Sequence, residues 1–104
     1  MKTTEKSFNG LTFAEAERLA LLLEELGEAQ HAIGKILRHG YGSCHPDGGP
    51  FNRENLEKEL GDVLFAIQLM TDNGDLSYFE IEEHKREKRN RVSEYLHHQN
   101  KKLL

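Results

Sequence analysis

The chain has 104 residues, 37% of them hydrophobic and 31% charged, with a formal net charge of −4 at pH 7. That length bounds it to one domain, residues 1–104, whose core is small enough that an oligomer sharing its interior between subunits is expected. The acidic balance argues against nucleic acid or an anionic membrane as the main partner.

Residues 1–10 are polar and end in Asn9-Gly10, which reads as a flexible tail. They carry no signal-peptide pattern, and a cytoplasmic location is expected. Thr12 then offers a helix N-cap, and Glu15 three residues later completes a capping box. From Phe13 to His39 the apolar residues Leu19, Leu22, Leu23, Leu26, Ile33 and Leu37 recur at helical spacing. The longest wholly apolar run, residues 19–23, is far too short to span a membrane. Gly40 is a natural stop, preceded by the basic Arg38 and His39. Gly27 and Gly34 lie inside this helix at a cost of roughly 1 kcal/mol each against Ala. Close approach of a neighbouring helix is favoured over tolerance at the surface as the reason.

The stretch GYGSCHPDGGPFN, residues 40–52, is dense in Gly and Pro and reads as a loop. Its Cys44 is the single cysteine of the chain, which excludes an internal disulfide and suits a reducing compartment. Cys44 and His45 have no partner pair at zinc-site spacing. Asn52 is expected to cap a second helix over residues 53–72, and the run DNGD at 72–75 breaks it. Ser77 with Glu80 forms another capping box and opens a third helix to about residue 98, leaving 99–104 as a second flexible tail. No strand-like alternation and no internal repeat appears. The fold class expected is all-α, a bundle of three main helices with its core completed by oligomerisation.

The acids of the first two helices stand out. At 100° per residue, with Leu19 at zero, the apolar arc of the first helix runs from about 200° round to about 40°. Glu25 falls near ~240°, inside that arc, Glu28 near ~180° at its edge, and Glu24 near ~140°, beside it. On the second helix, with Leu56 at zero, Glu59 falls near ~300° between Ala66 and Met70, and Asp62 near ~240° between Ala66 and Leu69. Each helix thus carries an acid pair three residues apart on its buried side. Four carboxylates converging in a core repel one another and desolvate badly unless their pKa values rise or a hard divalent cation sits among them. Mg²⁺, with its preference for oxygen ligands and phosphates, fits that donor set. A lone E-x-x-E is ordinary surface; two such pairs on the apolar arcs of adjacent helices favour a metal. Glu28 and His31 also spell the E-x-x-H of di-iron bundles, but that site needs the motif twice and no second copy supplies it within a matched helix pair.

The sequences Glu24-Glu25-Leu26-Gly27-Glu28 and Glu59-Leu60-Gly61-Asp62, with their flanks LALLLEELGEAQHAIGKILRHG and LEKELGDVLFAIQL, resemble the MazG-like all-α nucleoside triphosphate pyrophosphohydrolases over roughly residues 11–91. The spacer between the two motifs is long for that superfamily, because of the 40–52 loop. The resemblance implies hydrolysis of a nucleoside triphosphate between its α and β phosphorus atoms. It implies Mg²⁺, with Mn²⁺ as a substitute, held by Glu25, Glu28, Glu59 and Asp62, with Glu24 and Glu25 in the catalytic role. A homodimer or homotetramer is expected. Lys35, two turns after Glu28, and Asn55, one turn before Glu59, are candidate substrate contacts. So are Lys85 and Lys88 in the basic run of the third helix. Two further readings are a phosphoribosyl-ATP pyrophosphohydrolase and a non-catalytic helical nucleotide-binding or regulatory module.

Overall fold

A computed structural model describes residues 6–104. It opens on a small antiparallel ribbon: β1 (Lys6–Phe8) pairs with β2 (Leu11–Thr12), with Phe8 opposite Leu11. This corrects the expected flexible tail over its last residues; residues 1–5 lie outside the described part. The cause is Asn9-Gly10. Both adopt positive φ, 51° and 77°, the backbone that a two-residue hairpin turn demands and that Asn and Gly supply at least cost.

Helix α1 (Phe13–His39) follows directly. The Thr12 Oγ1 accepts the Glu15 N–H at 3.0 Å and the Glu15 carboxylate accepts the Thr12 N–H at 2.7 Å, so the capping box forms as expected. Gly40, at φ 88°, ends the helix with its N–H on the Ile36 carbonyl. Helix α2 (Asn52–Asp72) starts one residue earlier than expected. Phe51, not Asn52, is its N-cap, and the Phe51 N–H is taken by the Glu54 carboxylate at 3.0 Å. Asn52 is buried instead as the first helical residue, its amide donating to the Gly40 carbonyl at 3.0 Å. Helix α3 (Tyr78–Arg91) is capped by the Ser77 Oγ on the Glu80 N–H, 3.2 Å. It stops well short of residue 98 and passes into a 3₁₀ turn, Val92–Glu94; a second 3₁₀ turn, Lys101–Leu103, shapes the expected tail. Helix α3 buries no residue, and a helix with no packed face has little beyond its own propensity to extend it.

Helices α1 and α2 are antiparallel partners. At one end Gly40 meets Asn52; at the other, the Arg18 guanidinium makes two hydrogen bonds to Asp75, 2.5 and 2.8 Å, just past the end of α2. The core between them is built of Ala29, Ala32, Val63, Ala66 and Met70. Small side chains on both helices let the backbones approach. The larger apolar residues of the expected stripe lie elsewhere: Leu19, Leu23, Leu26, Ile33 and Leu37 on α1 and Leu60 and Leu64 on α2 are exposed, Leu23 at 74% and Leu37 at 81%. Gly27 and Gly34 correct a further expectation. A methyl group at either position meets nothing within 4 Å, so no helix of this chain crosses there.

The chain is all-α, with its three helices spread over 49 × 41 × 20 Å and a radius of gyration of 17.7 Å. A compact chain of this length has a radius near 13 Å. Among the described residues no helix is long and apolar enough to cross a membrane.

Candidate metal centre

The α1–α2 pairing brings acids of both helices to one point. One ligand oxygen from each of Glu25, Glu59 and Asp62 lies within 4.8 Å of the others. Glu59 is buried, at 8% exposure, and Glu25 and Asp62 are half-buried. The helices place them by phase: Glu25 shares the face of Ala29 and Ala32, and Glu59 that of Val63 and Ala66.

The electrostatics follow from the crowding. Loss of solvent at Glu25, reinforced by the charges of Asp62, Glu24, Glu59 and Glu28, raises its pKa above the ordinary carboxylate range. A positive charge already borders the cluster. The Lys58 Nζ lies 3.1 Å from Asp62 Oδ2 and 3.4 Å from Glu59 Oε1, and these partners raise its pKa. Lys58 was absent from the expected site residues, although its four-residue spacing to Asp62 was a usable signal. Three hard oxygen donors of like charge at this separation suit a divalent cation such as Mg²⁺ or Mn²⁺.

The other expected site residues distribute unevenly. Glu24 and Glu28 are exposed and lie outside the triad. Asn55 is half-buried one turn before Glu59. Lys35 is half-buried and lines a cavity at the far end of the α1–α2 pair, with Asn52 and the 40–52 loop. Lys85 sits 3.7 Å from Glu82 on its own helix, and the Lys88 ammonium lies 5.7 Å from the centre of the Tyr95 ring. Among the described residues no hydrogen bond or ion pair ties Lys85 or Lys88 to the acids of α1 and α2.

An all-α chain with clustered carboxylates on two facing helices defines the class: a helical protein with an acidic site suited to a divalent metal. The MazG nucleotide pyrophosphohydrolase domain model matches residues 13–97, and the chain belongs to that family, whose members generally depend on a divalent metal. No curated protein and no solved structure matches the chain.

Proposed function

We propose that this chain is a Mg²⁺-dependent nucleoside triphosphate pyrophosphohydrolase. Water attacks, the α–β phosphoanhydride bond breaks, and nucleoside monophosphate and pyrophosphate are released. The observation that carries this reading is the convergence of Glu25, Glu59 and Asp62 from two helices within 4.8 Å. These three would hold the cation, with Glu28 joining from the edge of the cluster. A bound divalent cation supplies neutralisation of phosphate charge and a more acidic water. Glu24, beside the cluster, orients the attacking water, and Asn55 and Lys35 hold the substrate along the same helix pair. Lys85 and Lys88 join the site only through assembly, because α3 buries no residue against the rest of its own chain.

A homodimer or homotetramer is part of the reading, supported by the open leucine face and the extended shape. Cys44 is free and exposed, which suits a reducing cytoplasm. The test is a panel of standard, deoxy and damaged nucleoside triphosphates, together with phosphoribosyl-ATP, assayed for pyrophosphate with Mg²⁺. Glu59→Gln should lower turnover by about 100-fold or more, since even outer-shell changes at metal sites cost 10–100-fold, with helical content kept. Wild-type turnover in that variant sinks the metal assignment. Pyrophosphate from phosphoribosyl-ATP alone moves the substrate to that metabolite, and none from any substrate leaves a non-catalytic nucleotide-binding module.

A further inference from the structure

A second concave site lies at the other end of the α1–α2 pair. It is a cavity of about 260 Å³ lined by Lys35, Arg38 and His39 of α1, by Ser43, Cys44, His45 and Pro46 of the loop, and by Asn52. The loop that walls it is tied down on both sides. The Asn52 N–H donates to the Ser43 carbonyl at 2.8 Å, the Arg53 N–H to the Tyr41 carbonyl at 3.1 Å, and the Asn52 amide to the Gly40 carbonyl. Within the loop the Gly48 N–H closes on the His45 carbonyl at 2.8 Å, and the Asp47 N–H donates to the His45 Nδ1 at 3.1 Å.

The lining is chemically one-sided. It holds two permanent cations and two imidazoles and no carboxylate of its own, while the Asp47 carboxylate lies 3.6 Å from the His45 Nδ1 beside it. Among the described residues neither Lys35 nor Arg38 has an ion-pair partner, whereas Arg18, Lys58, Lys85 and Arg86 each have one. No Phe, Tyr or Trp lines the cavity. Its volume falls below the ~300–1,000 Å³ of sites that enclose a whole drug-sized ligand. Uncompensated cations, hydroxyl and imidazole donors and a small volume together describe a receptor for a phosphate group.

We infer that this cavity is a phosphate subsite, separate from the acidic triad and built by the long 40–52 loop. It rests on the pyrophosphohydrolase reading only for the source of its ligand. Lys35 follows Glu25 by ten residues, and Asn52 precedes Glu59 by seven, which sets the cavity about 10–15 Å along the helix pair from the triad. The phosphates of a nucleotide, free inorganic phosphate and pyrophosphate all present the chemistry this cavity would take.

The test measures inorganic pyrophosphate binding to the full chain by calorimetry in the presence of a chelator, which removes any metal-held contribution from the triad. Wild type should bind. Arg38→Ala, at an exposed position, should weaken binding by about tenfold, the scale of one charge-assisted hydrogen bond, and His45→Ala by a smaller factor. Equal affinity in wild type and both variants, or no binding in wild type, overturns the subsite. Binding that is lost in Arg38→Ala supports it even if no triphosphate is hydrolysed, which separates it from the fate of the catalytic reading. With hydrolysis present, a raised KM for triphosphate in Arg38→Ala assigns the pocket to the substrate's terminal phosphate. An unchanged KM with relief of phosphate inhibition assigns it to the free anion.

Discussion

On α1, the face carrying Ala29 and Ala32 is packed against α2, while the face carrying Leu23 and Leu37, roughly 130° away round the helix, lies open. The packed face is made of small residues and admits an acid, Glu25, among them. The open face carries most of the apolar surface. Helix pairing in this chain therefore follows close backbone approach rather than the largest apolar stripe. Three alanines across α1 and α2 let the helices come near enough for carboxylates from both to share one site. Leu23 and Leu37 stay 74% and 81% exposed within the chain, and burying one such side chain fully stabilises by about 1.5–3 kcal/mol. That difference separates the two faces: one forms the acidic site, and the other carries the open apolar surface on which the proposed assembly rests.

The contrast can be broken at its packed side first. Met70, 2% exposed between α1 and α2, leaves a cavity when truncated. Met70→Ala should cost about 2–5 kcal/mol in denaturant unfolding, and Leu64→Ala, on an exposed position, no more than about 0.5 kcal/mol in the monomer. Equal losses would mean that the two faces are not distinct.

The open side is sharpened by charge. Leu23→Glu combined with Leu37→Glu should weaken self-association by at least about tenfold, since an unpaired buried charge at an interface is strongly unfavourable. Sedimentation should show the shift to lower mass with helical content kept. A wild-type chain that sediments as a monomer, or a variant of unchanged mass, removes the assembly role from this face.

The smallest effect concerns the pair that closes the end of the packed side. The hydrogen-bonded Arg18 guanidinium holds the Asp75 carboxyl below its ordinary value of 3.8, despite the opposing loss of solvent. A lowered carboxylate pKa stabilises the fold above the unfolded value, and that contribution is lost as pH falls through the lowered folded value. Asp75→Asn should therefore lower the melting temperature by a few degrees at pH 7, and the gap to wild type should close below about pH 4. A gap independent of pH would show that the pair acts through packing rather than charge.

Much of this was legible in the chain itself. The limits of α1 follow from Thr12, Glu15 and Gly40, because capping is local chemistry among residues a few positions apart. Glu25, Glu59 and Asp62 were legible as acids on apolar arcs. The ribbon at residues 6–12 escapes the sequence reading: Asn9-Gly10 is a turn signal, but strands so short show no alternation to reveal them. Lys58 and the pairing of Arg18 with Asp75 were harder: the first is one lysine among many, and the second joins residues 57 apart.

By itself the sequence determined an all-α chain, the starts of α1 and α3 and the presence of two acid pairs, because capping, periodicity and helical phase are local properties. Only the tertiary structure decided which part of each broad apolar arc lies inside. It joined Glu25 to Glu59 and Asp62, put Glu28 in solvent, left the leucines open and ended α3 at Arg91. The physical reason is that phase sets where a residue sits on its own helix, while burial depends on how closely another helix can approach, and that is settled by the small side chains on both.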